Sequence, residues 1–148
     1  MKILFYDDIQ GDKKEILTKI SEDLFQKGYV KASFKEALLK RETEFPTGLD
    51  LGDGIAIALP HTDTIHVNEE IMVIIIPSNQ VKFALMDDPT KDVNVSVIFL
   101  LLIKDPQGYT KFLSKLVSIF QTDMFKSAIK NKDVKKIQEL IEPLIQFR

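Results

Sequence analysis

Hydrophobic positions change their spacing twice along this chain, and each change marks a layer of the predicted fold. From Asp12 onward, Ile16, Leu17, Ile20, Leu24 and Phe25 recur at the three-and-four interval of one helix face. Asp12 suits the N-cap of that helix and Gly28 its C-terminal cap. A second helix is predicted from Ser33, with Glu36 three residues on completing a capping box. It carries Ala37, Leu38 and the charged run Lys40-Arg41-Glu42 as far as Phe45-Pro46-Thr47-Gly48. There the helix should stop, because proline disfavours a helical residue before it and glycine favours a turn.

The middle of the chain reads as strand. Ile55 to Leu59, Ile71 to Ile76, Val81 to Leu85 and Val93 to Ile103 are rich in Val and Ile, and clusters such as Pro77-Ser78-Asn79 and Asp87-Asp88-Pro89 bound them. The runs MVIIIP and VSVIFLLLI show no polar alternation, which predicts strands covered on both faces. After Pro106 the helical interval returns. Phe112, Leu113, Leu116, Val117 and Phe120 form one stripe, and Val134, Ile137, Leu140, Ile141 and Leu144 form another, with a short helix expected between Thr122 and Lys132. Pro143 should kink or end the last helix. Helices, then strands, then helices predict one α/β domain over residues 1–148, a three-layer sandwich whose mixed central sheet has helices on both faces.

Composition narrows the function. With 148 residues, 45% hydrophobic and 28% charged, the chain can bury a real core. A net charge of -2 gives no electrostatic footprint for nucleic acid. The sequence holds no cysteine, which excludes a disulfide framework, a thiolate nucleophile and a zinc-thiolate site. The N-terminal MKILFYDDIQGD lacks the long apolar core of a secretory signal, and no run is long enough for a membrane span, so a cytoplasmic protein without direct membrane insertion is expected.

Both histidines lie in GIAIALPHTDTIH, Gly54 to His66. Pro60 removes a ladder donor, so His61 should emerge at a strand end, where open α/β sheets commonly place their binding crevices. Several readings fit. His61 can be an ordinary polar residue of a turn. His61, Asp63 and His66 can supply the ligand types that zinc or iron accept, which would make a metal-dependent enzyme, although the spacing is not that of two imidazoles on one helix face. A serine hydrolase finds no G-x-S-x-G elbow. Imidazole can itself be the nucleophile, attacking phosphorus without a separate base and passing the group on. Arg41 is then a candidate for holding phosphoryl oxygens with paired donors, or else an exposed helix arginine beside Glu42 and Glu44. Phe45, Leu49 and Leu51 are candidates for an apolar rim around His61.

RETEFPTGL, Arg41 to Leu49, followed by IAIALPHTDTIH, resembles the IIA component of the bacterial sugar phosphotransferase system in its fructose–mannitol family. The resemblance runs over nearly the whole chain and adds the late apolar strand and the amphipathic helix after it. It implies a phosphotransferase component in which His61 takes a phosphoryl group from the phosphocarrier protein HPr. His61 then passes it to a cysteine on a IIB partner, coupled to uptake through a membrane IIC protein, with no bound cofactor. Arg41 would sit near the phosphorylated ring and stabilise the phosphoryl group. His66 can assist it or be a loop histidine with no role in transfer, and Thr62 can donate a hydrogen bond. Two departures stand out. The mannitol branch has a second active-site histidine at the start of the helix after the last long strand, where this chain reads KDPQGYTKFL. The residue after the phosphorylated histidine is often Gly, Ala or Cys, where this chain has Thr62. The P-H-x-x-x-I-H arrangement is similar to galactitol-type IIA proteins, which implies galactitol or a related polyol. A regulatory IIA-like domain that signals phosphorylation state is the alternative the same histidine would serve.

Overall fold

A computed structural model describes residues 1–146. The strands are β1 (Lys2–Ile9), β2 (Gly48–Gly52), β3 (Ile55–Ala58), β4 (Ile71–Pro77), β5 (Val81–Ala84), β6 (Asp92–Val95) and β7 (Val97–Leu102). The helices are α1 (Lys13–Gln26), α2 (Phe34–Glu44), α3 (Tyr109–Phe120), α4 (Asp123–Lys130) and α5 (Val134–Ile145). Five strands form a mixed sheet in the order β1-β4-β7-β3-β2, and β5 pairs with β6 in a separate antiparallel ribbon. Strand β7 runs antiparallel to β4 and parallel to β3.

Side-chain parity explains why the central runs are apolar throughout. On β4, Met72, Ile74 and Ile76 enter one core and Ile71, Val73 and Ile75 enter the other. On β7, Val97, Phe99 and Leu101 share the first core, while Ile98, Leu100 and Leu102 share the second. Alternate residues point to opposite faces, so a strand covered on both sides has no position left for a polar residue. The first core packs against α3, α4 and α5, and the second against α1, α2 and the β5–β6 ribbon. Phe99, Phe120 and Phe125 lock the first core, with ring centroids 4.7 to 5.9 Å apart.

The caps follow the sequence at α1 and depart from it at α2. Asp12 accepts a hydrogen bond from the Glu15 amide while the Glu15 carboxylate accepts one from the Asp12 amide, a complete capping box. Gly28, at φ +81°, follows the last turn of α1 in the conformation that favours glycine. The Ser33–Glu36 capping box does not form. Ser33 is itself in a helical conformation, and its hydroxyl bonds to the His66 ring instead. Phe25 is half exposed rather than part of the buried stripe. Pro143 neither ends nor splits α5, which continues to Ile145.

Two strands went unread in the sequence. β1 is an edge strand parallel to β4; its short apolar run Ile3 to Tyr6 is half-buried and gives way to Asp7 and Asp8 within the strand. β2 pairs antiparallel with β3 through Asp53-Gly54, both at positive φ, as a two-residue hairpin turn demands. The run from Val93 to Ile103 is two strands, because the chain leaves the ribbon and joins the main sheet at Ser96, whose amide bonds to the Ala56 carbonyl.

Candidate functional site

Ile55 and Ile57 of β3 and Leu59 just after it face the core beneath α3 to α5, and His61 has the same parity. The chain keeps its pairing with β7 across Pro60. Ile57 lies opposite Val97, Ala58 opposite Ile98 and His61 opposite Leu101, a constant register. The Leu101 amide donates to the Pro60 carbonyl at 3.0 Å. His61 is therefore mounted on the end of a buried strand rather than on a free loop, and it is only partly exposed.

The His61 ring is held at Nδ1, which lies 2.9 Å from the Leu59 carbonyl oxygen. A carbonyl oxygen can only accept, so Nδ1 carries the proton and the neutral ring has its lone pair on Nε2. Burial pulls the imidazole below its usual 6.5 and the Arg41 charge adds to this, against opposing contributions from the Leu59 carbonyl and Asp63. The net effect favours the neutral ring. The aromatic ring of Tyr109, at the start of α3, stands edge-on to the imidazole at 6.0 Å.

Arg41 projects from the last turn of α2. Its Nη1 reaches Asp63 Oδ1 at 3.4 Å, and its guanidinium carbon lies 5.4 Å from the centre of the Phe45 ring. Among the described residues its ion pair is with Asp63 rather than with neighbouring Glu42, which turns inward, or Glu44. Asp63 is mostly exposed, so this long ion pair holds Arg41 weakly. The buried Arg41 Nε–H has no acceptor among the described residues.

Thr62 is buried, and its hydroxyl donates to the Asp63 carbonyl at 2.9 Å, which turns its proton toward the backbone. His66 belongs to a short 3₁₀ turn, Thr64–His66, with Nδ1 2.8 Å from the Ser33 hydroxyl. Arg41, Thr62, Asp63 and His66 line one groove of about 420 Å³ together with Lys40 and Glu44. No hydrogen bond joins the two histidines among the described residues. The metal reading of His61, Asp63 and His66 is not supported by this arrangement. No three His, Asp or Glu side chains converge as ligands among the described residues, since Asp63 turns to Arg41 and His66 to Ser33.

The apolar rim differs from the sequence expectation. Phe45 is 61% exposed, but Leu51 is 4% exposed and belongs to the core, with Leu49 half-buried. Ile65 and Met86 are exposed at 67% and 47%. Sequence reading also missed the buried pair of Glu42 and Thr47 next to the candidate site. Glu42 is 3% exposed, and its carboxylate accepts from the Thr47 amide at 3.0 Å and from the Thr47 hydroxyl at 2.9 Å. The available signal was its place on the buried stripe Phe34, Leu38, Glu42, at an interval of four.

The family model described as "Phosphoenolpyruvate-dependent sugar phosphotransferase system, EIIA 2" matches residues 2–143. The chain is 38% identical over 110 residues to the galactitol-specific EIIA component of Escherichia coli strain K12, which spans 74% of this chain and 72% of that protein. Enzyme IIA-mannitol of Escherichia coli, solved in complex with phosphorylated enzyme IIB-mannitol, has the same fold, with a TM-score of 0.71, 19% identity and coverage of 96% and 94%. Nitrogen regulatory protein IIA-Ntr of Neisseria meningitidis overlays with a TM-score of 0.62 at 25% identity, covering 85% of this chain and 83% of its own. No helix among the described residues is long and apolar enough to cross a membrane. The match over nearly all of the sequence, with a 38% identical relative across most of both chains, makes this chain a member of the EIIA 2 family of the phosphoenolpyruvate-dependent sugar phosphotransferase system.

Proposed function

We propose that the chain acts as a single IIA domain over residues 1–148 whose His61 accepts a phosphoryl group from HPr and passes it to a cysteine of a IIB protein. The observation that carries this reading is the bond from His61 Nδ1 to the Leu59 carbonyl, which leaves Nε2 as the nucleophilic nitrogen. In the first step, the Nε2 lone pair forms a bond to phosphorus as the donor's own nitrogen–phosphorus bond breaks. In the second, a thiolate sulfur takes the phosphorus and the electron pair returns to Nε2. The proton stays on Nδ1, hydrogen-bonded to the Leu59 carbonyl, throughout, and no separate base is needed.

Arg41 serves the charge that arrives. Its weak pair with Asp63 can be exchanged for a doubly charged phosphoryl group, and its Nε–H has no competing acceptor among the described residues. The Phe45 ring steadies the guanidinium. Exposed Phe45, which lines the Arg41 groove, is the candidate apolar contact for the two partners in turn. His66 lies in the Arg41 groove, where it assists from the rim rather than from a direct bond to His61. The 38% identity to the galactitol-specific component supports reading the chain as coupled to a membrane IIC protein for uptake of galactitol or a similar polyol.

Regulation is the second reading, favoured by the overlay with nitrogen regulatory protein IIA-Ntr, and the lower 25% identity makes it the weaker one. The test is phosphorylation from phosphoenolpyruvate through enzyme I and HPr, followed by addition of a IIB protein. Wild type and His66→Ala are expected to label and His61→Ala to stay unlabelled. Label on a folded His61→Ala variant would overturn the assignment, and label that no IIB protein removes would favour the regulatory reading.

A further inference from the structure

Glu42 is a buried carboxylate with no cation in an ion pair among the described residues. Burial raises its pKa above the ordinary carboxylate value, opposed by the two Thr47 bonds and by the more distant charge of Lys13. Such a group is costly to keep, because an apolar residue of similar volume usually serves stability as well or better. Its bonds end on one residue, and that residue leads to the candidate nucleophile.

The Thr47 hydroxyl has a single proton, which goes to the Glu42 carboxylate, so its oxygen can only accept from its other neighbour. That neighbour is the Leu59 amide, 3.2 Å from Thr47 Oγ1 and 3.3 Å from the Thr47 carbonyl. Leu59 is thus held at its amide by Thr47, while its own carbonyl holds His61 Nδ1 at 2.9 Å. Its side chain is buried in the core and Pro60 fixes the backbone after it. A chain of directed bonds therefore runs from α2 through the loop before β2 and the end of β3 to the imidazole.

We propose that Glu42 and Thr47 are positioning residues for His61. They fix the Leu59 carbonyl in the place that keeps the proton on Nδ1 and the lone pair on Nε2. The Glu42 carboxylate orients the Thr47 hydroxyl, which an amide would do less well, since its NH₂ can donate to the same oxygen and turn the hydroxyl proton away. The role rests on His61 being the phosphoryl acceptor, and the experiment separates the two ideas.

The measurement pairs two readouts in the full chain: ¹⁵N shifts of the His61 ring, which report the tautomer, and the rate of phosphorylation by saturating phospho-HPr. The variants are Thr47→Val, Thr47→Ser and Glu42→Gln. Thr47→Val should mix the His61 tautomers and slow phosphorylation about tenfold with the donor KM unchanged, as expected for a misplaced reacting atom. Thr47→Ser restores the hydroxyl and should restore both readouts, and Glu42→Gln should fall between. If Thr47→Val does not fold, Glu42→Gln and Thr47→Ser carry the test. Ring shifts unchanged in folded Thr47→Val and Glu42→Gln would overturn the proposal, whether or not the rate falls. If His61 is not the labelled residue, the functional reading fails, yet the ring shifts still decide what holds the imidazole.

Discussion

Gly48 shows how closely the ribbon presses on the strand that leads to the site. A Cβ built there would lie 2.6 Å from the Ala84 carbonyl oxygen and 3.1 Å from Val93 Cγ2. Gly48→Ala must therefore open the contact between β2 and β5 by roughly half an ångström. The same movement strains the bond from the Met86 amide to the Gly48 carbonyl, 2.9 Å long. Overpacking costs about 1–3 kcal/mol and a weakened hydrogen bond about 1 kcal/mol, so a loss of roughly 2–4 kcal/mol is expected. Gly52→Ala is the control. Gly52 has φ +87° and nothing within 4 Å, so alanine there meets only backbone strain, about 1–2 kcal/mol. Urea denaturation of both variants reads the difference as a shift in midpoint at constant slope. Gly48 is also bonded in sequence to Thr47, so Gly48→Ala should slow phosphorylation of the folded protein while Gly52→Ala should not. Equal stability losses, or a Gly48→Ala variant as active as wild type, would refute the argument from close approach.

Further outcomes concern the charge balance at His61. Burial holds its pKa below 6.5, so the neutral ring persists into mildly acid solution. With preloaded phospho-HPr, the phosphorylation rate should stay level as pH falls through 6.5 and decline only below it; an inflection at or above 6.5 contradicts the buried-ring picture. Stability follows the same sign. The unfolded chain takes up the proton first, so the contribution of a neutral His61 is full above 6.5 and is lost as pH falls through the lower folded value, measurable against His61→Gln in parallel melts. Arg41→Ala should slow transfer about a hundredfold, the usual effect of removing one donor to developing charge, with little change in melting temperature because its pair with Asp63 is exposed. Arg41→Lys should recover only part of the rate, since lysine offers no planar fork. A rate in Arg41→Ala near that of wild type would remove Arg41 from the site.

The architecture was legible wherever burial was symmetrical. The apolar runs of β4 and β7 announced strands covered on both faces, and the helical stripes of α1, α3 and α5 announced the layers that cover them. What escaped notice depended on asymmetry or on contact at a distance. β1 has an exposed edge, and its acidic residues after Tyr6 look like the start of a loop. β2 was hidden behind the helix-stopping Phe45-Pro46-Thr47-Gly48, although Asp53-Gly54 carries a hairpin signal. Ser33 looked like a cap, but its hydroxyl found His66 across 33 residues of sequence.

The site divides in the same way. His61 followed from Pro60 and the end of an apolar run, and Arg41 from its motif. Glu42 sat in the charged run RETE, which reads as a solvated face until its place below Phe34 and Leu38 is counted. Thr62 was a candidate hydrogen-bond donor, and its hydroxyl donates to the Asp63 carbonyl. Bonds that depend on where a loop returns cannot be read from composition or spacing.

The central claim is that His61 presents Nε2 and keeps its proton on Nδ1. The most direct measurement is ³¹P and ¹⁵N spectroscopy of the protein phosphorylated through HPr, with the histidine rings labelled. The account predicts one phosphoryl group, bonded to Nε2 of His61, with Nδ1 still protonated and hydrogen-bonded. A phosphoryl group on Nδ1 of His61, or on His66, would contradict it.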